Sequence, residues 1–141
     1  MTYPSKDDET AILGAYVAGF DPNALEAFGV RAVFTRDEVA AFRQEAATVT
    51  AAPEMLAYIV EIVRRTREWP TIAVGASPRA AVTLLVASRA LAAMRGRTFI
   101  TPDETKGLAR AALRHRVILR PDAEIEGVTA DDVVDEVLKS V

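Results

Sequence analysis

From Ser77 to Gly96 the chain reads as one helix with both ends marked. Ser77 is an N-cap residue, Pro78 suits the first helical position and Gly96 closes the far end near Arg95. Between Ala80 and Met94 almost every position is apolar. A helix apolar on all sides is expected at the centre of a bundle, packed on several faces. Its many alanines let neighbouring helices approach closely. The rest of the chain must therefore supply helices to surround it. Composition agrees: half of the 141 residues are apolar but only 6% are aromatic, which favours helices over a β-sandwich. That length is one domain's worth.

Further helices follow from caps and periodicity. The first starts after Ser5 and runs to about Val17, with Ile12, Leu13, Tyr16 and Val17 on one face; Gly19 and Pro22 end it. Residues 19–34 read as a long irregular connection. The second has Thr35 as N-cap and Glu38 three residues on, a capping box; it is expected to bury Val39 and Phe42 and to end near Ala47. The third starts near Pro53 with a stripe of Leu56, Ile59, Val60 and Val63, flanked by Tyr58 and Ile62. Its basic end, Arg64-Arg65-Thr66-Arg67, suits the helix dipole, and Pro70 stops it. The fifth opens Thr101-Pro102-Asp103-Glu104 and buries Leu108, Ala109, Ala112 and Leu113. The sixth opens at Thr129 and buries Val133, Val134, Val137 and Leu138. Short extended pieces are expected at 71–74, 98–100 and 117–119. The fold class is all-α: a single domain over residues 1–141, a bundle of five to six helices with room for a tiny two-stranded β element.

Several function classes are excluded. There is no Cys and one His, so thiol chemistry, Cys-ligated metals and multi-histidine sites are ruled out. Asp7, Asp8 and Glu9 fit the first turn of a helix. Asp131, Asp132, Asp135 and Glu136 lack EF-hand spacing and read as a solvated face; no metal site is expected. His115 and Trp69 read as structural. The longest apolar stretch, residues 80–94, is interrupted by Thr83, Ser88 and Arg89 and is shorter than the roughly 20 residues a membrane span needs. The N-terminal residues lack a signal-peptide pattern, so a cytoplasmic location and no membrane partner are expected. No phosphate-loop or triad motif occurs.

Charge is segregated: residues 1–60 carry net −5, residues 61–120 net +8 and residues 121–141 net −6, summing to −3. A basic middle suggests a polyanion-facing surface or pairing within or between subunits. One arginine is distinctive. In Gly75-Ala76-Ser77-Pro78-Arg79-Ala80, Arg79 lies in the first turn of a helix, where the dipole disfavours a cation. An anion meeting it there removes the conflict, and a guanidinium beside free N–H groups suits phosphate.

The segments Tyr58–Arg67, Val74–Ala80, Leu91–Arg97, Thr101–Glu104, His115–Pro121 and Glu126–Thr129 resemble the C-terminal lid of MoxR-type AAA+ ATPases. Tyr3-Pro4-Ser5 resembles the family's handover from ATPase core to lid. The resemblance implies a helical lid over the nucleotide site, with Arg79 as the sensor 2 arginine reaching toward the γ-phosphate of ATP. Ser77 and Pro78 would fix the helix start that aims it, and Ala80 would leave room for the nucleotide. No Walker A, Walker B or arginine-finger segment is present. The resemblance thus implies a lid without its ATPase core, not catalytic and not a tight ATP binder alone. Mg would come from the core. The implied partners are that core and neighbouring subunits of a hexamer acting on an unidentified client. Two other readings stand beside it: a helix-turn-helix module on nucleic acid, and a protein-interaction adaptor. Against nucleic acid, Pro102-Asp103-Glu104 would open the recognition helix with charge that repels phosphate.

Overall fold

A computed structural model describes residues 3–141, which divide into two compact units, one ending at Glu38 and the other beginning at Val39. The first two residues of the N-terminal reading lie outside the described ones. Among the described residues there are seven α-helices and one two-stranded sheet. No described helix is long and apolar enough to cross a membrane.

The first unit begins with α1, Lys6–Val17. Ser5 caps it: its hydroxyl accepts from the Asp8 N–H at 3.2 Å and donates to the Asp8 carboxylate at 2.6 Å. This bond from Ser5 holds the Asp8 carboxyl below its ordinary range. Ile12, Leu13, Tyr16 and Val17 are all exposed, and the helix buries nothing. Gly19, at φ +92°, turns the chain. The irregular connection holds one 3-10 turn, Leu25–Phe28. Phe20 packs edge-on between Tyr16 and Phe28, with ring centroids 5.3 and 4.6 Å away.

Helix α2, Arg36–Thr48, runs from the first unit into the second. The Thr35–Glu38 capping box is formed, with Glu38 Oε2 accepting from the Thr35 N–H at 2.7 Å. Val39 and Phe42 are not buried as expected; they are 36% and 49% exposed. The helix turns small Ala46 and Ala47, with Arg43, toward a pocket shared with Val86, Arg89 and Ala90, and leaves its bulky residues outside.

The second unit holds the core. Helix α3, Pro53–Glu68, buries Met55, Ile59, Ile62, Val63 and Thr66. The expected stripe is therefore rotated: Leu56 and Val60 lie outside, at 41% and 48% exposed. Strand β1, Ile72–Val74, pairs antiparallel with β2, Ile118–Leu119, Ile72 opposite Leu119. Thr50 and Phe99 form a single parallel bridge, so the third extended piece also finds a partner.

Helix α4, Pro78–Met94, packs chiefly against α5, Pro102–Leu113, and against α3. It is less enclosed than its sequence suggests. Ala80, Leu84, Ser88 and Ala92, spaced by four, are fully buried. Val82, Val86 and Met94 are 61%, 60% and 85% exposed, because the neighbours cover one side only. Ile62, Leu84 and Leu113 are completely buried, each contributing roughly 1.5–3 kcal/mol. Inside this interface Ser88 and Thr105 satisfy one another through a hydroxyl pair at 3.1 Å.

Helix α6, Pro121–Ile125, was not anticipated; its five residues are too short to show periodicity. Helix α7, Ala130–Lys139, is capped by Thr129 and buries Val133, Val134 and Val137. Its acidic residues are not merely solvated. Asp135 takes both Nε and Nη2 of Arg110, Asp131 lies 3.2 Å from Arg114, and Asp132 completes the cap. The basic middle and acidic end of the chain thus pair with each other between α5 and α7.

Candidate functional site

The segment from Gly75 to Ala80 is fastened to the C-terminal turn of α3. Thr66, fully buried, donates to the Val63 carbonyl at 2.6 Å and accepts from the Ala76 N–H at 2.9 Å. Arg67 Nε donates to the Ala76 carbonyl at 2.8 Å. Both backbone groups of a buried residue are therefore satisfied by side chains, where an unmade bond would be costly. Gly75 passes so close that an added Cβ would sit 2.6 Å from Arg67 Cα. This anchorage sets where α4 begins and where Arg79 emerges.

Ser77 has the extended N-cap conformation, but its hydroxyl makes no capping bond. Pro78 follows at the first helical position, and both residues are exposed. Arg79 is exposed and has no carboxylate partner among the described residues. Ala80 is fully buried, so its small side chain serves core packing. The structure thus brings Ser77, Pro78 and Arg79 together at the surface and turns Ala80 inward.

Other cations surround this helix start. Arg64 and Arg67 line a cleft of about 170 Å³ with Val60, Val63, Pro78 and Ala81. Arg116 Nη1 donates to Thr83 Oγ1 at 3.1 Å, and Thr83 donates to the Arg79 carbonyl at 3.0 Å. None of these arginines has a carboxylate partner among the described residues. Sequence reasoning missed Thr66, Arg67 and Arg116. The available signal for Thr66 was its spacing, four residues beyond Ile62 on the buried face. For Arg116 there was none, since its partner lies 33 residues away.

At the opposite end of α4, Glu104 is fully buried. Its carboxylate accepts from the hydroxyl and N–H of Thr101 and from Arg95 at 2.8 Å, with Arg97 at 3.4 Å. The Thr101 hydroxyl, then Arg95 and Arg97, hold its pKa down at about 2 despite burial. His115 is exposed and accepts from Arg116 Nε at 3.0 Å. Trp69 packs against the core. Among the described residues no cluster of His, Asp or Glu is arranged to hold a metal ion. The chemistry available at the α4 start is electrostatic: an exposed guanidinium at the positive end of the helix, suited to an anion, with Pro78 carrying no N–H and the Ala80 N–H taken by the Ser77 carbonyl at 2.9 Å.

Residues 64–137 match the family described as the AAA lid domain. The chain is 33% identical over its whole length to the uncharacterised protein YeaC of Bacillus subtilis, covering 42% of that protein. It is 28% identical over 99% of its length to chaperone MoxR1 of Mycobacterium tuberculosis, covering 37% of it. A crystal structure of "a putative ATPase" from Cytophaga hutchinsonii superposes with a TM-score of 0.77 at 29% identity. That match covers all of this chain and 44% of the other. The chain therefore spans less than half the length of the relatives it matches.

Proposed function

The chain belongs to the AAA lid domain family, and from that premise we propose that it is the lid of a MoxR-type AAA+ ATPase with Arg79 as its sensor 2 arginine. The observation that carries this reading is the exposed, carboxylate-free guanidinium of Arg79 in the first turn of an anchored helix. Those features fit the phosphate end of a nucleoside triphosphate. Residues Ser77, Pro78 and Arg79 would face it. Mg and the rest of the nucleotide site belong to a core domain that this chain's residues do not supply.

Arg79 pairs with the terminal phosphate while ATP is present and draws the lid onto the core. Hydrolysis and phosphate release remove that charge-assisted tie, and the lid is free to rotate. Because Ala76 is held by Thr66 and Arg67, a pull on Arg79 is transmitted to α3 as well as α4. The assembled protein is then a hexameric, chaperone-like remodelling ATPase; the likeness of this chain to 37% of chaperone MoxR1 supports the chaperone part of that reading.

The test is ATP turnover by the full natural protein, wild type against Arg79→Ala. The expected result is a loss on the order of a hundredfold, the scale of removing one preorganised donor to transition-state charge, with helicity unchanged. Unchanged turnover would remove the sensor role and leave the lid fold standing.

A further inference from the structure

Resting on the reading of Arg79 above, we propose that Arg116 is a second phosphate-facing arginine of the same site. It enters from the segment between α5 and β2 rather than from α4. Thr83 lies four residues after Arg79 and so on the same face of α4. Arg116 places Nη1 on the Thr83 hydroxyl at 3.1 Å, which brings its guanidinium to the Arg79 face.

The bonding of Arg116 says what it lacks. It is half-buried, and its protein acceptors, Thr83 Oγ1 and His115 Nε2, carry no negative charge. Two arginines just before it in sequence are treated differently. Arg110 receives Asp135 and Arg114 receives Asp131, both from α7. Arg116 receives no carboxylate among the described residues, although desolvating a cation without a counter-ion is unfavourable. Arg79, equally without one, lies on the same face, and like charges brought to one face repel. An anion with several oxygens resolves both problems. The terminal phosphates of a nucleoside triphosphate offer enough acceptors for two guanidinium forks. A single arginine would report only that a terminal phosphate is present; two arriving from separate elements fix its direction.

The experiment is equilibrium binding of a fluorescent ATP analogue and the matching ADP analogue to the full natural protein. Wild type is compared with Arg116→Ala, Arg116→Lys and Arg79→Ala, with thermal melting in parallel. Arg116→Ala is expected to weaken the triphosphate by about tenfold, the scale of one charge-assisted contact, and to leave the diphosphate nearly unchanged. Arg116→Lys should recover part of the loss, since charge returns without the fork. Equal weakening of both analogues with a lowered melting point would overturn the proposal, because a structural role does not discriminate phosphate number. Wild-type binding of both analogues by Arg116→Ala would overturn it too. Loss of triphosphate preference in Arg79→Ala alone sinks only the role of Arg116, whereas no effect in either variant removes the sensor reading as well. Should Arg116→Ala fail to fold, Arg116→Lys carries the comparison: full wild-type preference together with a wild-type melting point would then count against the fork.

Discussion

Gly75 owes its identity to its neighbour and not to its dihedral angles. A Cβ there would meet the Arg67 backbone at 2.6 and 2.7 Å, and backbone in the last turn of a helix cannot step aside. Gly75→Ala should therefore destabilise by about 2 kcal/mol, within the range for overpacking, read as a lower thermal midpoint. Gly107 supplies the contrast. It lies inside α5 with nothing within 4 Å of the added methyl, so Gly107→Ala should stabilise by roughly 0.5–1 kcal/mol. Opposite signs for two identical substitutions would be hard to obtain from helix propensity alone. At Thr66 the expected penalty is chemical. Thr66→Val keeps the shape but strips the acceptor from the Ala76 N–H, costing about 1–3 kcal/mol for a stranded buried donor; Thr66→Ser should recover much of it. The Gly75–Ala80 motif and the odd position of Arg79 were legible in sequence, because dipole and capping preferences are local. Their anchorage was not, because it depends on which side of α3 faces inward.

Helix starts were the most legible elements. Ser5, Thr35, Thr101 and Thr129 each carry an acid three residues on, and all four boxes form. Which face each helix buries was harder to read. In α3, apolar residues at 55, 56, 59, 60, 62 and 63 allow two neighbouring stripes, and tertiary contact selects the one continuing to Thr66. In α4 the apolar positions ran all round, so periodicity could not say that one side would stay open. The Thr101 box adds something a cap alone does not: its Glu104 also holds Arg95 and Arg97, tying the end of α4 to the start of α5. Its carboxyl sits at about 2 in the folded chain against an ordinary value of 4.5. A depressed folded pKa means the folded state prefers the ionised form, so the stabilisation is complete above about pH 4.5. It is lost as pH falls from there through about 2. Glu104→Gln keeps much of the shape but removes the charge facing two arginines, at an expected cost of roughly 2–3 kcal/mol near neutral pH. The measurement is a denaturation series across pH: wild type and variant should converge in acid, and a gap that persists at pH 2 would deny the carboxylate this role.

Across the whole molecule, stability is distributed unevenly along the chain. The alternation of acidic, basic and acidic segments in the sequence is partly resolved by α5–α7 pairing; among the described residues the arginines around the α4 start have no carboxylate partner, and neither do Arg89, Lys106 and Arg120. The core lies entirely within residues 39–141. The unit before it keeps its helix cap and its edge-on Tyr16–Phe20–Phe28 cluster, yet α1 buries no residue. A helix of 12 residues without a buried face gains little from packing and is marginal on propensity alone. Local opening there should cost far less than global unfolding. Hydrogen exchange on this chain should therefore show α1 amides exchanging well ahead of those in α3 and α4, whose inward faces include Ile62, Val63 and Leu84. Slow exchange in α1 matching that of α3 would mean that Ile12, Leu13 and Tyr16 are covered in solution, by another copy or by their own chain. Concentration dependence separates those two cases: protection that fades on dilution belongs to association through the apolar face, and protection that persists belongs to the single chain.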